Sequence, residues 1–149
     1  MTDHTDLISE LEAQHERLQF SRFSVDDAWA LGSLLVRLGR ERSLGITIDI
    51  RRGDQQLFHA ALAGTTADND DWVMRKVRTV RRFGEASYLV GRRQAAKGAD
   101  FNEKFGLPLS EFAAHGGASR SSCATAERSE RSPSRGCPRP TTTRSWSRR

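Results

Sequence analysis

The clearest hydrophobic pattern lies in residues 64–84, where apolar side chains recur every three or four positions. This spacing predicts a helix with one apolar stripe, formed by Trp72, Met74, Val77, Val80 and Phe83. Asn69 and two aspartates stand near its start, where free backbone N–H groups and the positive end of the helix dipole favour acceptors and negative charge. Basic residues fill the later turns. We expect this helix to be the central element of the fold.

A β-hairpin is predicted just before this helix. Residues 46–50 alternate between isoleucine and polar side chains, which is the pattern of a half-buried strand. The triplet Arg52-Gly53-Asp54 indicates a turn, after which residues 56–62 pair back as a second strand. The triplet is also a cell-adhesion motif, but three residues recur by chance and Gly-Asp suits a turn. We therefore interpret it as a turn.

The remaining pattern predicts helices around this hairpin. Residues 6–18 form one helix, and Ser24 begins a second, with Asp27 at the capping-box offset, that ends near residues 39–43. Further helices are expected at 86–97 and 110–114, with a short edge strand at 19–23 and a loop at 100–109. The predicted fold class is α+β: a single domain over residues 1–118, with an antiparallel sheet flanked by helices.

The composition changes abruptly after Ala118. Residues 119–149 contain eight serines, eight arginines and three prolines, and they lack Leu, Ile, Val, Phe and Met. Such a segment is predicted to be a disordered basic tail. A second hypothesis is a frameshift. If the serine codons are TCN, a frame that begins on each third base replaces every serine by an apolar residue. The amino-acid sequence translated in this frame has the pattern of a strand, a Gly-rich turn, a second strand and the start of a helix.

The charge is concentrated in the same tail. The chain has a net charge of +5, but residues 119–149 carry +6 and the first 118 residues carry −1. The domain therefore gives no indication of a nucleic-acid partner, and its arginine-rich helix face is interpreted as solvated or as a subunit contact. The sequence has neither a long apolar run nor a signal-peptide pattern, so we expect a cytoplasmic protein without a membrane segment. Cys123 and Cys137 are expected to be free thiols.

Four stretches of residues 20–118 resemble the haem-degrading domain family, which contains HbpS-like and GlcG-like proteins. They are FSVDDAWALGSLLV, ITIDI, LFHAALAGTTADNDDWVMRKVRTVRRFGEASYLVG and AAHGG. The chain is most similar to an uncharacterised branch of small cytosolic proteins in this family. The resemblance implies a profilin-like or PAS-like fold and assembly into a homo-oligomer. It also implies haem as a candidate cofactor, since some relatives bind or degrade it.

Haem binding needs an axial ligand, and two histidines are candidates. His115 is followed by Gly116 and Gly117, where the backbone can approach a ligand closely. His59 lies within the second strand of the hairpin. The alternative for each is structural: a histidine in a strand is more often hydrogen-bonded than metal-bound, and His115 can equally be a turn residue at the end of the predicted 110–114 helix.

The start of the central helix is a second candidate ligand site. Asn69, Trp72 and Lys76 lie there, where the free N–H groups and a lysine can bind an anion such as a carboxylate or a haem propionate. The structural alternative is that Asn69 caps the helix, Trp72 packs against the core and Lys76 is solvated. In that case Arg75 pairs with Asp71, four residues earlier.

These features lead to one favoured function and two alternatives. The favoured hypothesis is a small cytosolic oligomer that binds haem or another anionic ligand. The first alternative is an assembly or adaptor protein without a small-molecule ligand. The second is a chain that folds poorly, because its final sheet elements are replaced by the tail. Motifs for nucleophilic catalysis, phosphate loops and zinc proteases are not found, so an enzymatic activity is left open.

Overall fold

The centre of the fold is a β-hairpin in the computed structural model, which describes residues 4–119. Strands β1 (Thr47–Arg52) and β2 (Gln55–Ala61) pair antiparallel, and Gly53 adopts a φ of 60° in the tight turn between them. Ile50 lies opposite Phe58 and Arg51 lies opposite Gln56, so Leu57 is an extra residue that interrupts the register. The predicted hairpin and its turn are confirmed.

Five helices accompany the hairpin in the described residues: α1 (His4–Arg17), α2 (Val25–Glu41), α3 (Ala67–Phe83), α4 (Ser87–Ala96) and α5 (Phe101–Phe105). α2 covers the apolar face of the hairpin, where Gly32 lets the Phe58 ring approach the helix backbone. α3 lies against the other face, since Asp70 faces His59. Neighbouring residues of a strand point to opposite faces, so the hairpin is enclosed between the two helices. The predicted α+β class, with an antiparallel sheet flanked by helices, is confirmed.

The helix ends follow local sequence signals. The Ser24 N–H donates to the Asp27 carboxylate at 2.7 Å, and the Asp27 N–H donates to the Ser24 hydroxyl at 3.1 Å. This is the predicted capping box, with aspartate in place of the usual glutamate. The Ser24 hydroxyl also donates to the Asp27 carboxylate, at 2.6 Å, and this bond and the one from the Ser24 N–H lower the pKa of Asp27. Near the C-terminal end of α3, the Arg81 guanidinium lies 2.7 Å from the exposed Asp54 carboxylate in the hairpin turn.

Helices α3, α4 and α5 share a small second core. Leu89, Val90 and Phe101 are buried there, and the Phe101 ring contacts that of Phe83 edge-on and that of Phe105 in a tilted arrangement. α1 joins this group through Arg93 of α4, whose guanidinium lies 2.6 Å from Glu12 and also pairs with Glu85. These two carboxylates raise the pKa of Arg93. The second core holds α3 against α4, which positions the site described below.

Three predictions of local structure are wrong. Residues 19–23 do not form a strand: only Phe20 makes an isolated bridge, and its ring packs on Phe23 at 4.9 Å. Residues 100–109 are not all loop, because the Asp100 carboxylate accepts from the Glu103 N–H at 3.0 Å and starts α5. Residues 110–114 are not a helix.

The reason for the missing 110–114 helix is that distant partners take its backbone groups. The Phe112 carbonyl accepts from the Asn102 side chain at 3.1 Å, and the Ala113 N–H donates to the Arg75 carbonyl at 3.4 Å. Residues 112–118 therefore form an irregular segment, which we call the strap. Residues 120–149, with the predicted disordered tail and both cysteines, lie outside the described residues. Among residues 4–119, the helices are all too short or too polar to cross a bilayer.

Candidate functional site

The central helix α3 presents different residues on opposite sides. Successive residues of an α-helix turn by about 100°, so Asp70, Val73 and Met74 share one side. This side faces the hairpin. Trp72, Lys76 and Thr79 share the opposite side, which faces the strap. The candidate residues that were identified from the sequence therefore lie on two different sides of α3, one facing the hairpin and one facing the strap.

Buried Ser87, at the start of α4, anchors the strap. Its hydroxyl donates to the His115 carbonyl at 2.6 Å, and its N–H donates to the Ala118 carbonyl at 2.9 Å. Gly91, one turn further along α4, allows the strap to pass close by, because a Cβ built there would lie 2.1 Å from the Ala114 carbonyl oxygen. The hydrogen bonds of Ser87 hold the strap against α4, and a side chain at position 91 would prevent its close approach to this helix.

An aromatic contact joins α3 to the strap. The rings of Trp72 and His115 meet edge-to-face with their centroids 5.5 Å apart. The Trp72 indole N–H donates to the Asp68 carboxylate at 3.1 Å, and the Arg75 guanidinium lies 4.7 Å from the centre of the ring. Arg75 also approaches Asp71 at 3.9 Å, as expected. The His115 side chain is exposed, and its imidazole makes no hydrogen bond within residues 4–119.

Lys76 is next to this pair, beside the two glycines of the strap. A Cβ built on Gly117 would lie 3.3 Å from the Lys76 Nζ, and Gly117 has a φ of 106°, a conformation that favours glycine. Gly116 lies against the Tyr88 ring. The Lys76 side chain is half-buried and forms neither an ion pair nor a hydrogen bond with the described residues. Burial lowers the pKa of its ammonium group.

The structure thus brings together most of the predicted site residues: Trp72, Lys76, His115, Gly116 and Gly117. We call this group the strap site. Asn69 is not part of it. Thr66 is the N-cap of α3, and the Asn69 side-chain oxygen accepts from the Thr66 N–H at 2.8 Å as part of a capping box. His59 is also elsewhere, on the hairpin side of α3.

His59 lies in a cleft of about 240 Å³ between the hairpin and α3. Its Nδ1 is 3.3 Å from Asp49, its partner across the hairpin, and its Nε2 is 3.3 Å from the Oδ1 of Asp70. The second contact is close but poorly aligned, since this oxygen lacks a hydrogen-bond partner of good geometry. Both ring nitrogens of His59 therefore face carboxylates. This arrangement disfavours a role for His59 as an axial ligand of haem iron.

Asp49 is held ionised in this cleft, although its side chain is only 3% exposed. Burial raises its pKa and is the largest single effect, but hydrogen bonds from Arg51, Gln56 and His59 together outweigh it and lower the pKa. Sequence reasoning missed this group. The hairpin pattern gave no signal for it, because regular pairing around a turn at residues 53–54 places residue 58 opposite residue 49. Only the extra residue, Leu57, brings His59 opposite Asp49. Within residues 4–119 there is no cluster of three or more His, Cys, Asp or Glu side chains suited to a metal ion.

A helix-enclosed antiparallel hairpin with a glycine-rich strap over α3 defines an α+β domain with a candidate ligand site. Comparison with known proteins identifies its family. Residues 23–120 match the family described as haem degrading protein HbpS-like, and the chain belongs to this family. The resemblance noted from the sequence is therefore confirmed.

Relatives in several bacteria share most of the domain. The chain is 59% identical to a UPF0303 protein of Streptomyces coelicolor over 110 residues, which cover 74% of this chain and 70% of the relative. A UPF0303 protein of Streptomyces avermitilis is 58% identical over 111 residues, covering 74% of this chain and 68% of the relative. The crystal structure of the Ybr137w protein superposes with a TM-score of 0.68 at 33% identity, covering 77% of this chain and 68% of that one.

Proposed function

We propose that this protein binds a planar anionic small molecule, with haem as the candidate ligand, at the strap site. The observation that carries the proposal is the Lys76 ammonium, half-buried beside Gly117 without a counter-charge among the described residues. Partial burial without a partner disfavours the ammonium form, and an anion would supply the missing charge. Membership of the HbpS-like family supports haem as the anion.

The residues of the strap site fit such a ligand by their chemistry. The exposed imidazole of His115 is the type of group that coordinates haem iron, and the bound haem would supply redox chemistry. Lys76 would hold a propionate, with the neighbouring Arg75 as a second cation. The Trp72 ring would contact the ligand plane. Gly116 and Gly117 lack side chains that would block its approach.

A haem titration tests the proposal. We expect the Soret band of added haem to shift when haem binds the protein. His115→Ala should remove this shift or weaken binding by at least ~10-fold, because it removes the proposed axial ligand. A tenfold loss corresponds to about 1.4 kcal/mol of binding free energy. Lys76→Gln should weaken binding by a smaller factor that decreases as salt is added.

Two matched variants serve as controls. His59→Ala removes the other candidate histidine, and Lys97→Gln removes an exposed lysine at the C-cap of α4. Both should bind haem like the original chain. An unshifted Soret band at all protein concentrations, or equal binding by His115→Ala, would contradict the proposal.

A second candidate function, a cytoplasmic assembly protein that forms homo-oligomers, is favoured by the surface of α2. Trp29 is 66% exposed and Val25 is 51% exposed, although both belong to a helix whose neighbouring face packs on the hairpin. Val25 and Trp29 are four residues apart and therefore lie next to each other on one side of α2. Neighbouring exposed large apolar residues are typical of a protein–protein contact. The two functions are compatible if the oligomer also binds the ligand.

Light scattering after gel filtration tests the assembly. We expect the protein to elute as an oligomer and Trp29→Arg to reduce its mass toward that of one chain. Ala30→Arg is the matched control, because Ala30 is the exposed neighbour of Trp29 on the same helix. A monomeric original chain, or equal dissociation by both variants, would argue against α2 as the interface.

A further inference from the structure

Lys76 differs from the other two lysines of the chain in its surroundings. Lys97 and Lys104 are exposed, whereas Lys76 is half-buried between α3 and the strap. The residues one helical turn before and after Lys76 are Trp72 and Val80, which bring no negative charge. The nearest acidic residue in the sequence, Asp71, approaches Arg75 instead.

This setting has a chemical consequence for the amine. Burial without a counter-charge disfavours the ammonium form, so the pKa of Lys76 is lowered relative to that of a solvated lysine. A neutral amine is a nucleophile, and lysines that form Schiff bases in proteins are activated by desolvation or by a neighbouring cation. For Lys76 the observed cause is desolvation. Arg75, the preceding residue, brings a cation to the same site, where its guanidinium lies over the Trp72 ring.

We propose that Lys76 is a reactive amine that forms an imine with small carbonyl compounds carrying a carboxylate, such as α-keto acids and aldehyde acids. Arg75 selects the carboxylate. Its guanidinium is stacked on the Trp72 ring and lies 3.9 Å from the exposed Asp71 carboxylate, so the carboxylate of a ligand can replace this weak partner. Gly117 has no side chain beside the amine, where a Cβ would lie 3.3 Å from the Lys76 Nζ.

The reaction balances without a cofactor. The Lys76 Nζ lone pair attacks the carbonyl carbon, the C–O π bond becomes a hydroxyl, and the amine loses a proton to water. The carbinolamine then releases water, and a C=N bond forms. In the test below, cyanoborohydride is added as the reductant, and its hydride converts the imine into a stable secondary amine.

Competitive labelling tests the proposal with internal controls. The full-length protein is treated at pH 7 with glyoxylate and cyanoborohydride, and the modification of each lysine is followed by peptide mass spectrometry. We expect Lys76 to react several-fold faster than Lys97 and Lys104. The preference should disappear in urea, where all three lysines are solvated. The N-terminal amine is scored separately by its own peptide.

Two further comparisons separate the role of Arg75 from general reactivity. Glycolaldehyde, a neutral aldehyde of similar size, should show a smaller preference for Lys76 than glyoxylate does, and Arg75→Gln should reduce the glyoxylate preference. Labelling of Lys76 that is equal to or slower than labelling of the exposed lysines would overturn the proposal.

The inference uses the strap site of the proposed function, but its readout needs no haem. A chain that binds haem through His115 and shows no preference at Lys76 would overturn only the present inference. A chain that labels selectively at Lys76 but leaves the Soret band unshifted would overturn only haem binding. If both hold, bound haem should protect Lys76 from glyoxylate.

Discussion

At the scale of single residues, Gly91 has the sharpest consequence for the strap site. Glycine inside a helix is about 1 kcal/mol less favourable than alanine, so sequence pattern alone treats Gly91 as a defect of α4. In the structure, the Ala114 carbonyl oxygen would lie 2.1 Å from a Cβ at this position. The residue is therefore required by the passage of the strap.

We predict that Gly91→Ala destabilises the protein by about 1–3 kcal/mol, the usual cost of overpacking, despite the better helix propensity of alanine. Urea unfolding measures the change. Gly45→Ala is the control, because a Cβ at Gly45 meets its nearest neighbour at an ordinary 3.4 Å. Equal stability of Gly91→Ala and the original chain would mean that the strap does not pack on α4 as described.

The second residue-scale prediction concerns pH and Asp49. Because the pKa of Asp49 is lowered in the folded protein from its ordinary 3.8, its ionised form stabilises the fold above that pH. This contribution is lost as the pH falls through the lowered pKa. Asp49→Asn should therefore be less stable than the original chain near neutral pH, and the difference should shrink below about pH 4. Urea titrations at several pH values test this, and a pH-independent difference would contradict it.

These residues also mark the limits of sequence reasoning. The structural role of Asn69 at the start of α3 follows from local chemistry, although the N-cap is Thr66 and Asn69 is the capping-box residue that accepts from its N–H. The proximity of His115 to Trp72 was not predicted as a contact, since 43 positions separate them along the chain and only the course of the strap brings them together. The candidate residues were identifiable by type, whereas their grouping into one site depended on tertiary structure.

At the scale of elements, the best predictions were those with complete local signals. The capping box at the start of α2 is one, and its contribution can be measured. Ser24→Ala removes the hydroxyl that accepts from the Asp27 N–H and should destabilise the protein by about 1 kcal/mol. Ser33→Ala, at an exposed position within the same helix, should leave the stability unchanged or slightly higher. Thermal unfolding distinguishes the two; equal effects would show that the cap contributes nothing.

Elements whose backbone partners are distant in the sequence were predicted poorly. Residues 110–114 have a helix-like pattern, but the carbonyl of Arg75 and the side chain of Asn102 take their backbone groups. α5 was missed for a different reason: its five residues are too few to show a helical period. The hairpin was found because its turn, alternation and pairing are all contained within about fifteen residues.

At the scale of the whole molecule, the described sheet is small. It has two strands, and such a hairpin is only marginally stable unless helices or further strands support it. Trp29 and Val25 of the adjacent α2 are exposed. The family match ends at residue 120, next to the point where the composition changes. These observations support the frameshift hypothesis, in which native sheet elements would follow residue 118.

The hypothesis makes a prediction about stability. A gene in which codons after 118 are read in the alternate frame should encode two strands and a helix, and the additional strands should extend the hairpin and cover apolar surface. We expect this restored protein to unfold more cooperatively, at a higher temperature and with a larger urea m-value, because more surface is buried on folding. A chain that stops after residue 118 is the control that separates new structure from mere loss of the basic tail. The coding sequence gives a separate test, since serine codons of the AGY type in 119–149 would leave no apolar alternate frame. If the restored and truncated chains melt alike, the residues after 118 contribute no structure and the frameshift account fails.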